Sequence, residues 1–247
     1  MKNFLKKIVE LTGYTIINSK LVSHPQRQKP ITREDFFKLY FAHANSDTFF
    51  FVNIGANDGR HGDPLYSYVT KYRLHGIAIE PQPDVYKRLK SNYESYPVEC
   101  VLGAIGPASG HLTFYSVKEK YHVPERPNLM TGIASFDKKH FDRGLRKKVP
   151  AGADLSVYTK KTTIRASSFE DFAREHNIDH VNCLQLDCEG MDWKILSTIN
   201  LKKYNPSLIN FETVNLSDAD RAECERWLTD SGYTIFRSGM DTTAYKL

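Results

Sequence analysis

From about residue 49 onward, short apolar runs alternate with amphipathic stretches. The run 49–54 is apolar except at Asn53, and its length and direct entry into a glycine-bounded turn predict a strand buried on both faces. The pattern then predicts a helix near 64–73, a strand over 76–80, a helix from Asp84 through Tyr93 and a strand over 97–102. Pro107-Ala108-Ser109-Gly110 reads as the turn of a hairpin whose outgoing strand is His111 to Val117. Further along come strand 157–164 and a helix from Phe169 to His176, opened by a Ser167/Glu170 capping box. Strand 181–186, helix 191–199, strand 208–211, a helix near 217–230 and a closing strand pair, Tyr233–Arg237 with Thr242–Lys246, complete the series. Such alternation predicts an α/β fold, with a mostly parallel sheet covered by helices on both faces.

Two segments depart from that rhythm. Residues 118–150 hold three prolines and many charges with weak periodicity, and read as an irregular lid inserted over the acceptor. Within it, Lys138, Lys139, Arg143, Arg146, Lys147 and Lys148 outnumber Asp137 and Asp142. They form either a solvated basic face or a site for a phosphorylated, nucleotide-linked or lipid-linked acceptor. At the other end, Phe4, Leu5, Ile8, Val9 and Leu11 fall on one face of a short helix. Six basic residues (Lys2, Lys6, Lys7, Lys20, Arg27, Lys29) face the single acid Glu10 there. Residues 1–29 are therefore either a peripheral anchor to an anionic membrane or a helix packed on the rest of the chain or a partner. A second helix, capped by Thr32 with Asp35 three residues on, runs through Phe36, Phe37, Leu39 and Tyr40. The expected division is a helical extension over 1–45 and a single domain over 46–247.

Composition adds exclusions. With 26% charged and 40% hydrophobic residues in 247, the chain has globular values and enough length for one sizeable core. A net charge of +5, scattered as it is, tolerates an anionic substrate but is too weak to argue for nucleic acid, and no nucleic-acid partner is expected. Cys100, Cys183, Cys188 and Cys224 make no CxxC pair or zinc spacing, which suits reduced thiols and a cytoplasmic setting. No stretch nears the roughly 20 apolar residues of a membrane span, and no signal-peptide cleavage pattern follows the first lysines.

Candidate chemistry gathers at predicted strand ends: Asn53 through Gly59, Glu80 with Pro81, Asp187 with Glu189, and Glu212. Ligands of open parallel sheets bind beyond those ends. Gly55-Ala56-Asn57-Asp58-Gly59 is a GxxxG turn rather than the GxGxxG of dinucleotide sites. An acid inside the turn repels a pyrophosphate but is compatible with a cationic amino acid, so the charges favour S-adenosylmethionine over NAD. Glu80, ending the next strand, is placed to take the two hydroxyls of a ribose. Two other readings stay open: an NAD(P)-dependent Rossmann oxidoreductase, and a non-catalytic cofactor-binding module that works through a partner.

Several of these pieces together resemble the FkbM-type S-adenosylmethionine-dependent methyltransferases. They are Asn53-Ile54-Gly55-Ala56-Asn57-Asp58-Gly59 with Asp63-Pro64-Leu65, and Ile79-Glu80-Pro81-Gln82-Pro83 with Leu89 and Asn92-Tyr93. Ala104-Ile105, Ala134-Ser135-Phe136, Leu184 through Asp192, Phe211-Glu212 and the closing Gly232-Tyr233, Asp241 and Ala244 also fit. The resemblance spans roughly 49–247 and implies a class I methyltransferase (Rossmann-like) fold that methylates a hydroxyl on a sugar, glycan or natural product. It further implies that Gly55, Ala56, Asn57 and Gly59 wrap the methionine part, Glu80 and neighbouring Pro81 meet the ribose, and Ala104 and Ile105 flank the adenine. Asp187 would face the methionine amine or the acceptor, with Ser135 and Phe136 lining the mouth and His61 and Glu212 on the acceptor side. Asn53 stands where many methyltransferases carry an acid, which leaves Asp58 or Asp187 to balance the ligand's ammonium. For the proton of the accepting hydroxyl, Asp187 and Glu189 lead, with His61 and His140 behind them. Mg²⁺ is not expected; were it used, Asp187, Glu189, Asp192 and Glu212 would be its ligands.

Overall fold

The computed structural model describes residues 14–17, 20–23, 32–123, 125–214 and 216–246. Its first elements, β1 (Tyr14–Ile17) and β2 (Lys20–Ser23), pair antiparallel in a sheet of their own. This corrects the expectation of an all-helical extension, and the β-branched run Thr15-Ile16-Ile17 accounts for it. The helix expected over Phe4–Leu11 lies outside the described residues. Next, α1 (Arg33–Ala42) begins as the sequence predicts: Thr32 Oγ1 accepts from the Asp35 amide at 3.1 Å, and the Asp35 carboxylate accepts from the Thr32 amide. It buries Phe36, Phe37 and Phe41 against Phe49, Tyr68, Phe236 and Tyr245, so α1 packs directly on the sheet.

The central layer starts with β3 (Phe50–Ile54), α2 (Tyr66–Tyr72), β4 (His75–Glu80), α3 (Pro83–Tyr93) and β5 (Val98–Leu102). Successive side chains of β3 serve opposite faces. Val52 and Ile54 join Ile77, Ile79, Leu184 and Leu186, whereas Phe51 joins the α1 aromatics. Burial on both faces is why β3 reads as a continuous apolar run.

Three strands then leave the central layer: β6 (Ala104–Ile105), β7 (Gly110–Val117) and β8 (Thr159–Ser167). They form a separate sheet in the order β6-β8-β7. Two expectations fail here. No hairpin joins β7 to the strand before it; β7 pairs antiparallel with β8, from Gly110 opposite Ala166 to Val117 opposite Thr159. Nor does β8 enter the parallel sheet. Its sequence TKKTTIRAS is largely exposed and could not be buried between two helical layers.

Between β7 and β8, residues 118–150 fold into a short 3-10 turn (Glu119–Tyr121) plus α4 (Asn128–Thr131) and α5 (Lys138–Arg146). The segment is not irregular. It has a core of its own, where Val117, Met130, Ile133, Phe141 and Leu145 meet. The periodicity is faint because α5 offers that core only Phe141 and Leu145 as apolar side chains, one turn apart, among Lys138, Lys139, Arg143 and Arg146. Asp137 starts α5 by accepting from the His140 amide at 3.0 Å.

The second half adds α6 (Phe169–Glu175), β9 (Cys183–Leu186), α7 (Asp192–Leu196), α8 (Leu201–Tyr204), β10 (Leu208–Glu212), α9 (Asp218–Asp230), β11 (Thr234–Ser238) and β12 (Asp241–Tyr245). The cap of α6 is Ser168, which accepts from the Asp171 amide, one residue beyond the expected Ser167/Glu170 box. The seven-stranded sheet runs β11-β12-β10-β9-β3-β4-β5, and β12 alone is antiparallel to its neighbours. The strand order reverses between β3 and β9, so the crevice of this fold opens at their carboxyl ends. Among the described residues no helix is long and apolar enough to cross a membrane, and all four cysteines are free.

Candidate active site

The turn after β3 is built by two backbone bonds: the amides of Gly55 and Ala56 both donate to the Ile79 carbonyl, at 3.0 and 2.9 Å. Gly55 adopts φ +79°, and a Cβ there would fall inside the carbonyl of Asp187. Only glycine lets the first loop lie against the end of β9. At the end of β4, Glu80 is 3% exposed. The Asn57 amide donates to its Oε2 at 3.0 Å, and the Gln82 amide and Nε2 donate to Oε1 at 2.8 and 3.1 Å. Burial pushes the Glu80 carboxyl up to about 7, against the pull of those donors.

Two adjoining hollows meet over this edge. The first spans about 580 Å³ between Glu80, Pro81, Gln82, Gly103, Ala104 and Ile105, with Phe114 of β7 and Thr131 and Gly132 of the 118–150 segment as its far wall. The second spans about 630 Å³ and is bordered by Asn53, Ala56, His61, Asp63 and Gln185. Gly55, Asn57, Gly132, Asp187 and Glu189 line both, so the hollows form one cleft with the end of β9 at its waist.

Acids crowd that waist. Asp187 is open to the cleft yet ringed by protein, and desolvation together with Glu189, Asp192, Glu212 and Asp63 holds its carboxyl well above the ordinary range. Burial with Glu212 and Asp192 raises Glu189 to about 8, and burial with Glu212 raises Asp192 to about 6. Asp63, raised by burial to about 7, accepts from Asn53 Nδ2 at 2.9 Å and from the Leu65 amide at 2.7 Å. Asn53 therefore does not stand alone where an acid was expected; its amide carries one in from the loop.

Glu189 is held with unusual care. Its φ is +49°, and Ser135 Oγ donates to its carbonyl at 2.7 Å. Gly190 follows at φ +94°, and the His140 ring fills the space a Cβ would need, with Nδ1 2.8 Å away. His140 Nε2 lies 2.7 Å from Glu189 Oε2, while Arg143 Nη2 lies 3.3 Å from Nδ1. A guanidinium can only donate, so Nδ1 accepts and Nε2 carries the proton given to Glu189. Burial lowers the His140 pKa despite the pull of Glu212, which keeps the ring neutral in this arrangement.

The sequence matches the Methyltransferase FkbM domain family over residues 53–235, most of the chain. This chain belongs to the FkbM methyltransferases. The donor of this S-adenosylmethionine-dependent family is thereby S-adenosylmethionine. Among solved structures, the FkbM methyltransferase of Methylobacillus flagellatus is 12% identical, with a TM-score of 0.48, over 82% of this chain and 44% of that one. The chain thus spans less than half the length of the Methylobacillus protein. A human methyltransferase 10 domain-containing protein aligns at 15% identity and TM-score 0.42, over 86% and 79% of the two chains. A SAM-dependent O-methyltransferase of Thermotoga maritima aligns at 9% and 0.41, over 98% and 81%. No curated protein sequence matches.

In this FkbM chain most of the expected site residues converge: Asn53, Gly55, Ala56, Asn57, Glu80, Pro81, Ala104, Ile105, Asp187 and Glu189 all line the cleft. His61 borders the second hollow, and Ser135 and Phe136 border the first. Asp58 and Gly59 do not line it. The Asp58 carboxylate is 1% exposed and turned into its own loop, where it accepts from the Arg60 and His61 amides and pairs with His61 Nδ1. Asp187 therefore faces the cleft and Asp58 does not. Gly59 serves packing, since Leu89 and Tyr93 occupy the place of its Cβ. His140 and Glu212 stand behind Glu189, outside the hollows. The basic residues Lys138, Lys139, Arg143, Arg146 and Lys147 are exposed, as a solvated face requires. Residues overlooked in the sequence include Asp63, Gln82, Thr131, Gly132 and Gln185. Of these Asp63, Gln82 and Gln185 had a signal, as polar members of motifs already noted.

Proposed function

We infer that this methyltransferase acts on oxygen, moving a methyl group to a hydroxyl of a sugar, glycan or natural product, free or lipid-linked, and not to nucleic acid. The observation that carries this is Glu189: a basic carboxylate at the waist of the cleft, aimed by His140 and shared by both hollows. An alcohol is a poor nucleophile at neutral pH and needs such a base, whereas a neutral amine does not.

The cleft fits S-adenosylmethionine on its own chemistry. Gly55 leaves room where a Cβ would intrude, Glu80 offers a desolvated carboxylate to a diol, and Asp187 is an acid lining both hollows. When bound, S-adenosylmethionine supplies a methyl group on a sulfonium, ready for in-line displacement. Glu80 would hold the ribose hydroxyls, Ala104, Ile105 and Phe136 would enclose the base, and Asp187 would face the ammonium. Ser135 keeps the Glu189 backbone in its left-handed turn. His140 donates from Nε2 to one oxygen of Glu189, leaving the other to accept the hydroxyl's proton. Thr131 and Gly132, from the 118–150 segment, shield the meeting point from water. Holding two reactants in such alignment is worth up to roughly 7–11 kcal/mol of the barrier.

Glu80→Ala is expected to weaken S-adenosylhomocysteine at least about tenfold in calorimetry, the scale of lost charge-assisted hydrogen bonds. In the parent, affinity should rise with pH as the Glu80 carboxyl, at about 7, ionises, and that part of the rise should vanish in Glu80→Gln. Equal affinities would remove Glu80 from the site. Oxygen as the acceptor atom is tested by the product of a glycan and natural-product panel. A base-stable methyl ether supports the reading; methyl on nitrogen or carbon overturns it.

A further inference from the structure

Glu189 belongs to the cleft, but two side chains behind it have no part in lining either hollow. One is His140, in the first turn of α5; the other is Glu212, the last residue of β10. One ligand atom from each of His140, Glu189 and Glu212 lies within 4.8 Å of the other two. The three come from separate elements, far apart in sequence, so no local turn or cap accounts for their meeting. We propose that His140, Glu189 and Glu212 bind a divalent cation on the acceptor side of the cleft. The binding stands apart from the hydroxyl-methylation reading, and only the role given to the ion rests on that reading.

The donor set suits a borderline-hard dication. One imidazole and two carboxylates satisfy Mn²⁺, whose preferences overlap those of Mg²⁺ for oxygen and Zn²⁺ for nitrogen. Three protein ligands leave positions open for water or for two oxygens of a diol, and a hydroxyl so bound is easier to ionise. An independent mark is Asp192. Its Oδ1 accepts from the Cys188 amide at 3.2 Å, but Oδ2 is buried without a hydrogen-bond partner in a residue only 1% exposed. The charge of Asp192 acts on Glu212, on Glu189 and on His140. Four acids (Asp187, Glu189, Asp192 and Glu212) meet here, where Arg143 lies beside His140, Lys148 acts on Glu189 and Arg33 acts on Asp187. A bound dication would add positive charge among these acids.

The resting hydrogen bonds show what the ion must displace. The proton on His140 Nε2 now bridges to Glu189, so a cation takes the place of that proton. The ring then protonates on Nδ1, and the Arg143 guanidinium must leave it. Arg143 is thus a competitor of the ion, which yields a variant whose binding improves.

The test is a Mn²⁺ titration of the full chain, following free Mn²⁺ by electron paramagnetic resonance, with S-adenosylhomocysteine titrated in parallel by calorimetry. One saturable Mn²⁺ per chain is expected, and His140→Ala and Glu212→Gln should each weaken it about tenfold or more. Both variants should keep S-adenosylhomocysteine affinity within about twofold of the parent's, whereas Glu80→Ala should lose the nucleoside and keep Mn²⁺. Arg143→Leu should bind Mn²⁺ several-fold more tightly, by removal of a nearby like charge, a gain that a damaged fold cannot mimic. No saturable binding, undiminished binding in His140→Ala and Glu212→Gln, or no gain in Arg143→Leu would each overturn the site. Mn²⁺ binding without S-adenosylhomocysteine binding would instead sink the donor reading and leave the cation site standing.

Discussion

Glu189→Gln is expected to slow methyl transfer by about 10²–10⁴-fold while donor affinity changes little. The amide has the carboxylate's shape, and its oxygen can still accept from His140 Nε2, so the left-handed turn and the ring behind it should persist. What disappears is basicity. In the parent, the ordinary Glu value of 4.5 is raised to about 8, so without ligand the group ionises only as pH climbs through that range. A bound sulfonium adds positive charge close by and favours the ionised form. The rising limb of kcat is therefore expected below about 8, and it should be absent from the residual rate of Glu189→Gln. The folded chain also holds this proton more tightly than the unfolded chain does. Glu189 therefore subtracts stability as pH rises from about 4.5 to about 8 and contributes nothing below that window. Denaturant melts should show the glutamine variant losing less stability than the parent across that interval. A parent-like rate with the limb intact would mean that another group takes the proton.

Gly55→Ala should damage both fold and donor binding. The left-handed φ costs a non-glycine residue roughly 1–2 kcal/mol, and forcing a methyl into packed backbone costs about 1–3 kcal/mol more. The added carbon would meet the carbonyl of Asp187, and the turn cannot slide away because the Gly55 and Ala56 amides are tied to Ile79. A total of about 2–5 kcal/mol corresponds to a fall of about 4–20 °C in Tm for a chain of this size. Gly152→Ala is the matching control. Its φ is +80° too, but no atom lies within 4 Å of its added carbon, so only the conformational part applies. Thermal melts of the two variants with and without S-adenosylhomocysteine decide the matter. An equal fall in both, with the ligand still stabilising Gly55→Ala, would show that close approach to β9 is unimportant.

How far the molecule could be read from its sequence follows from the range of the forces involved. β3, β4, β9 and β10 were legible because burial on both faces writes a continuous apolar run, and their polar ends marked the cleft. The cap of α1 was legible because Thr32 and Asp35 are three residues apart. The partner of β7 was not, since the strand that pairs with it begins 42 residues after β7 ends, and hydrogen bonding alone selects it. Asp58 was misplaced because an acid in a glycine turn can point either way, and here three donors of its own loop claim it. The pair of His140 with Glu189 left no local trace, being 49 residues apart, and neither side chain repeats with a helix or strand period.

The packing of α1 has a practical sequel for anyone preparing a shortened protein. The segment recognisable as the family domain, 53–235, opens inside β3 and closes inside β11. Trimming the gene to those limits would strip Phe36, Phe37 and Phe41 from one side of the sheet and take Tyr245 with the lost β12. The remnant would show a greasy aromatic wound and an unpaired β10 backbone, the two ingredients of precipitation, though every residue of the cleft's floor would still be encoded.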